Sequence, residues 1–327
     1  MVVFDVTRFA RPVLAGACLA AFAPAALAQQ PYPVKPVRLI APLAPGGTTD
    51  ITARLMAQQM TAGLGQTVIV ENRSGAGGSV GTAFAAKLPP DGYNLLITSV
   101  DTYTINAAVY SKLGFDPYKD LLALSVLAAS PSVLTIHPSV PAKSVKELVA
   151  LSKKRPKDLN YGSGGTAGQL RMELLKLNTG LVITNIPYKG SGPALTDQVA
   201  GHVHAGFFNL VATLPHVQSG RLRALLVTGP KRSDRLPDVP CTVELKIGGF
   251  DENTGYVMMM PSGAPKDIVA RLNQEIVRAV RSKEVSSRLA SEGSEAIGSS
   301  VDEAVAVVHR SLKLWEDVVR RTGIRAQ

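Results

Sequence analysis

Three short glycine-rich stretches hold the chemistry that this sequence can do. They are Pro45-Gly46-Gly47-Thr48-Thr49-Asp50, Tyr161-Gly162-Ser163-Gly164-Gly165-Thr166 and Tyr188-Lys189-Gly190-Ser191-Gly192-Pro193. Each stands where a β-strand should hand over to a helix. Glycine has no Cβ, so a ligand can approach the backbone closely. A helix that begins there offers unpaired N–H groups and the positive end of its dipole. Together these hold an anion without a charged side chain. One such loop is ordinary in an α/β protein. Three of them in a chain without a catalytic motif point to anion capture.

The motifs of catalysis are missing from the sequence. No phosphate loop ending in Gly-Lys-Ser/Thr occurs, and no Gly-x-Ser-x-Gly elbow. Gly75-x-Gly77-x-x-x-Gly81 places its third glycine one residue too late for a dinucleotide fingerprint. His202 and His204 are two apart, on one face of a strand, but no third metal ligand accompanies them. Cys241 lacks a paired histidine motif and reads as a buried thiol. Met258-Met259-Met260 reads as a buried strand, because neighbours on a strand point to opposite faces. No activated nucleophile, metal triad or carboxylate pair can be assembled. The expectation is a binding protein, not an enzyme, with no cofactor and no metal.

Arg8 and Arg11 open a short basic start, and an apolar run follows over 12–26. Ala26-Leu27-Ala28 is a small-x-small site. This is the pattern of a secretory signal peptide over 1–28, cleaved near Ala28. Its removal leaves Cys241 as the one cysteine, so no internal disulfide is expected. The core alone must hold the fold, and the remaining residues, about 300, suffice for two domains. Hydrophobic residues make up 46% of the chain and charged ones 18%, a globular composition. Aromatics are only 5%, which argues against a receptor that stacks sugars on rings. The net charge of +10 comes from scattered Lys and Arg. That excludes a focused nucleic-acid patch and mildly favours acidic ligands.

The elements that position the loops follow from hydrophobic period and turn residues. A strand over 37–41, a helix over 50–63, a strand over 66–71, a helix over 79–87 and a strand over 94–98 form a βαβαβ run. A long strand over 121–129 and another over 133–137 precede a helix over 145–154. Ser144 and Glu147 form its capping box. Strand, glycine loop and helix then recur over 159–178 and over 183–199. Strands over 203–208, 224–228 and 255–260 and amphipathic helices over 265–280 and 300–322 complete the chain. This is an α/β, two-lobed plan: βαβ units of a mainly parallel sheet flanked by helices, a second such set, then a return to the first. A ligand belongs between the lobes, at the mouths of the βα loops.

Ordered motifs run along nearly the whole mature chain. They include Tyr32-Pro33-x-Lys35-Pro36-x-Arg38, Gly46-Gly47-x-x-Asp50-x-x-Ala53-Arg54, and Val70-Glu71-Asn72-Arg73-x-Gly75-Ala76-Gly77-Gly78. Pro90-Asp91-Gly92-Tyr93, Tyr161-Gly162-Ser163, Pro187-Tyr188-Lys189-Gly190 and Leu236-Pro237-Asp238-Val239-Pro240 add to them. In these the sequence resembles the periplasmic substrate receptors of the tripartite tricarboxylate transporter family, the Bug receptors. The resemblance implies a type II-like periplasmic binding protein fold, two α/β lobes joined by crossing hinge strands. Lobe 1 then covers 29–130 and 255–327, lobe 2 covers 131–254, and the C-terminal helix is placed to pack across both.

The resemblance also implies a small carboxylated ligand held largely by backbone N–H groups. By position, Gly46, Gly47 and Thr48, in the loop bounded by Pro45 and Asp50, hold one carboxylate. Ser163, Gly164, Gly165 and Thr166 hold it, or a second group, from the other lobe. His204 stands where the family usually has Asp. An Asp repels an anion, and a protonated His attracts it, so His204 joins the expected ligand-binding residues. The implied partners are the large and small membrane subunits of a transporter, or a sensor protein. The expected state is a monomer in the periplasm.

Overall fold

The structure is a computed structural model that describes residues 1–2, 32–46, 48–129, 131–188, 190–250, 255–291 and 293–325. The expected signal peptide and its cleavage near Ala28 lie outside the described residues.

The first sheet starts with β1 (Val37–Ala41), which is buried on both faces as an apolar central strand should be. A helix, α1 (Thr48–Leu64), returns the chain to β2 (Val68–Asn72), which pairs parallel with β1. After a 3-10 turn at Ala76–Gly78 comes α2 (Ser79–Ala86), then β3 (Asn94–Ser99), parallel to β1 on its other side. Then α3 (Val100–Val109) follows β3 directly, and β4 (Leu121–Val126) and β5 (Ala128–Ala129) lead away. The strand expected over 121–129 is thus two strands, and the second leaves the sheet to pair with β12 (Glu295–Ala296).

The second sheet holds β6 (Ser132–Ile136), β7 (Asn160–Ser163), β8 (Thr184–Pro187), β9 (Ala205–Asn209) and β10 (Arg223–Val227). Between them run α4 (Val145–Lys154), α5 (Thr166–Thr179), α6 (Ser191–Val199) and α7 (Leu210–Gln218). The chain then returns to the first sheet with β11 (Tyr256–Pro261), and ends in α8 (Lys266–Val280), α9 (Lys283–Ser291) and α10 (Val301–Thr322).

The strand orders are β2-β1-β3-β11-β4 and β10-β6-β9-β7-β8. Read from its other edge, the second sheet repeats the first: two parallel partners around a first strand, then one antiparallel strand, then an edge. Only β11 and β6 run against their neighbours. The mainly parallel sheets therefore place the starts of α1, α2 and α3 at one end of the first sheet. They place the starts of α5, α6 and α7 at one end of the second.

Two helices join the sheets. In α10, Ala304, Val308 and Leu312 pack in the core that contains Ile40 and Leu96 of the first sheet. Three residues further on, Trp315 with Val318 and Val319 packs in the core that contains Leu134, Tyr161 and Leu225 of the second. Likewise α3 gives Val100 and Tyr103 to the first core, and Ile105, Ala108 and Val109 to the second. The two helices meet where Thr104 Oγ1 and Ser311 Oγ share a buried hydrogen bond of 2.9 Å. Among the described residues, no helix is long and apolar enough to cross a membrane.

Candidate functional site

The first loop is held from beneath by a carboxylate. Gly46 takes a left-handed φ of 82°, and its N–H donates to Asp50 Oδ2 at 3.0 Å. Arg54, one turn along α1, donates through Nε to the same oxygen at 3.1 Å and lies 3.0 Å from Oδ1 through Nη2. Asn72, at the end of β2, donates to Asp50 Oδ1 at 3.0 Å and to the Leu43 carbonyl at 3.2 Å. The Asp50 side chain is only 5% exposed. Burial raises its pKa, but the hydrogen bonds from Arg54, Gly46 and Asn72 outweigh burial and hold it below the ordinary carboxylate value. Asp50 is thus occupied in fixing the loop, and so is the Gly46 N–H. Pro45 is exposed beside it. Gly47 lies outside the described residues, and Thr48 opens α1.

Neighbouring loops close around the first. A Cβ at Gly78 would sit 3.4 Å from Thr102 Cγ2 and 3.6 Å from Leu43 Cδ2. That glycine therefore marks where the loops after β1 and β2 meet the first turn of α3. Ser99 caps α3 by accepting from the Thr102 N–H at 2.9 Å.

In the second sheet, β7 ends at Ser163, 2% exposed, whose carbonyl accepts from the Tyr188 N–H at 2.9 Å. A Cβ on Gly164 would lie 2.4 Å from both the Cα and the N of Ser191, so only glycine lets the two loops pack. Gly165, at φ 105°, is the N-cap of α5, and Gly190 is the N-cap of α6. Neither helix start has a side-chain cap. By contrast α4 and α10 start at Ser144 and Ser300, whose hydroxyls accept from the helix backbone. The structure thus sets two uncapped helix starts side by side, with Thr166 as the first residue of α5 and open space beside Gly165. Such a pair attracts negative charge.

A partly buried ion pair ties the two sheets. Asp101, two residues past the end of β3, binds Arg171 Nη2 from the second turn of α5. Sequence reasoning missed both as site residues. A carboxylate in the first turn of a Ser-capped helix was the available sign for Asp101; nothing local marks Arg171.

His204 is elsewhere. Its ring Nδ1 lies 2.9 Å from Asn160 Oδ1, and its N–H donates to the Asn160 carbonyl at 3.1 Å. Asn160 begins β7 and Ser163 ends it, and β9 runs parallel to β7. His204 therefore precedes β9 at the opposite end of the sheet, about 10 Å below the level of Ser163. The expectation that it joins the loops is corrected by this register. No group of three or more metal-ligating side chains is present among the described residues.

The model of the tripartite tricarboxylate transporter family receptor matches residues 52–324. The chain belongs to that family. This receptor is 36% identical over 297 residues to BugT of Bordetella pertussis, covering 90% of the chain and 91% of BugT. Among solved structures it resembles R. palustris Rpa4515 with adipate, at 35% identity and a TM-score of 0.73, over 90% of this chain and 99% of that one. It also resembles MatC from Rhodopseudomonas palustris with bound malate, at 30% identity and a TM-score of 0.71, over 88% and 100%. A TctC solute-binding protein from Polaromonas, without ligand, is 25% identical with a TM-score of 0.80, over 89% and 99%. The receptor shares their two-lobed periplasmic binding fold and their class, that of periplasmic solute-binding receptors.

Proposed function

We propose that this receptor captures a small carboxylated organic acid between its two lobes and delivers it to the membrane subunits of a tripartite tricarboxylate-type transporter. The observation that carries this reading is the pair of uncapped helix starts, α5 and α6, packed together through Gly164 and Ser191. In this reading one carboxylate lies on the N–H groups of Ser163, Gly164, Gly165 and Thr166. Gly47 and Thr48 meet it from the loop that Asp50 fixes. The adipate and malate of the two related structures agree with a ligand of this class. The protein performs no chemistry on the acid: it binds, closes and releases.

A thermal-shift panel tests the reading. Ligand at a hundred times its dissociation constant adds about 2.7 kcal/mol of stability. Mono- and dicarboxylates are expected to raise the melting temperature, while their amides and neutral sugars leave it unchanged. Stabilisation by sugars or cationic peptides, with none by any carboxylate, would overturn it.

A further inference from the structure

Arg171 and Asp101 stand at the mouths of the two sheets, where they pair with each other. Asp101 lies in the first turn of α3, at the same end of the first sheet as the Asp50-held loop. Arg171 lies in α5, the helix whose uncapped start is proposed to hold a carboxylate. Its Cα is about 7.5 Å along the axis from that of Thr166. Helical side chains lean toward the N-terminus, so the guanidinium is carried back toward the helix start. The side chains are 23% and 12% exposed, half-hidden at the junction of α3 and α5. Among the described residues, Arg171 is bound by Asp101 through Nη2 alone. A guanidinium has five N–H donors, so most of its binding capacity is left over.

We propose that Arg171 is the counter-charge for a second carboxylate of the ligand, and that Asp101 competes for it and so sets the preference for diacids over monoacids. The proposal rests on the reading of a carboxylate site at the start of α5. With one carboxylate on that start, the second carboxylate of a diacid can turn to Arg171, and a monoacid leaves the guanidinium to Asp101. The fork geometry of Arg suits two carboxylates at once, one from the protein and one from the ligand. Asp101 repels the incoming charge, which lowers the gain that Arg171 alone would give.

A simple tie between helices and a competitor differ in sign, and that makes the test. Calorimetry compares adipate and succinate with hexanoate and butyrate on the whole mature receptor. In Asp101→Asn the guanidinium is released to the ligand, and the diacids are expected to bind about tenfold tighter. The monoacids stay within about twofold. In Arg171→Met the counter-charge is lost, and the diacids are expected to bind about tenfold weaker. The double variant loses the gain of Asp101→Asn. Melting curves without ligand confirm that each variant folds. If both single variants weaken the diacids, or if neither changes the diacid-to-monoacid ratio, the pair is only a tie and the proposal falls. If the wild type binds other carboxylates but none of these four, Arg171 serves no diacid and the proposal falls alone. If it binds no carboxylate at all, the receptor reading falls first, and this inference with it.

Discussion

Gly164 and Ser191 touch backbone to backbone: a Cβ on the glycine would stand 2.4 Å from the serine nitrogen. The glycine at 164 is required by the neighbouring loop, whatever the ligand. Gly192, one residue past Ser191, has nothing within 4 Å of a Cβ. Gly164, in the loop after β7, and Gly192, in the first turn of α6, answer to different constraints.

Gly164→Ala must therefore push α6 away from β7, and overpacking of this kind costs about 1–3 kcal/mol. Carboxylate affinity is expected to fall with it, because the two helix starts separate. Gly192→Ala, inside α6, is expected to be neutral or to stabilise by up to about 1 kcal/mol. Urea unfolding of the two variants gives the comparison; equal stabilities would show that the contact yields without cost.

Asp50→Ala removes the acceptor for Gly46, Arg54 and Asn72 together. A loss of about 1–3 kcal/mol is expected, with weaker ligand binding as the loop loosens. The pH dependence has a definite sign. The folded-state pKa of Asp50 is depressed, so its contribution is complete above the unfolded value and is lost as pH falls through the folded one. The gap between wild type and Asp50→Ala should be constant from about pH 5 upward and should shrink below about pH 3.8. A gap that persists unchanged at acid pH would mean that the carboxylate charge does not hold the loop.

His204→Asp is expected to leave carboxylate affinity within about twofold of wild type from about pH 5.5 to 7.5. The residue sits on Asn160 at the far end of the sheet. Calorimetry at both ends of the range decides. A pH-dependent gain in the wild type that the variant lacks would return His204 to the site.

Trp315 is the one tryptophan of the sequence and is buried where α10 enters the second core. Its indole Nε1 has no hydrogen-bond partner among the described residues. Trp315→Phe keeps most of the packing and gives up no bond, so it is expected to cost less than about 1.5 kcal/mol. Trp315→Ala is expected to cost about 3–5 kcal/mol. Denaturation followed by far-UV circular dichroism separates them; a Phe variant as unstable as the Ala variant would reveal a hidden partner for the indole.

The sheets and the glycine loops were legible because their signals are local. Val37 to Ala41 is apolar at every position but Arg38, and Gly46 and Gly47 follow within six residues. What escaped depends on pairing across the chain. Helix α3 is buried on nearly every side, between two cores, so it has no polar face to give a helical period. Pro215 inside α7 is a helix breaker by type, and it hid that helix. Asp50 has the residue type of a ligand contact, but Asn72, 22 residues on, turns it inward. For His204, alternation along a strand specifies a face and not an end; only the parallel register with β7 specifies the end.

The position of β11 has a consequence for the order in which the molecule is made. It lies between β3 and β4, yet it follows β10 in the chain. When synthesis has reached Val227, every strand of the second sheet exists, while the first still has a gap through its middle. The first sheet is therefore complete only after β11 has been made, and α10, which fastens both cores, comes last in the chain. Pairings so distant in sequence are slow to form. A chain truncated between Val126 and Tyr256 keeps β3 and β4 without the strand that pairs with both, and such unpaired edges are suited to aggregation and to recognition by chaperones.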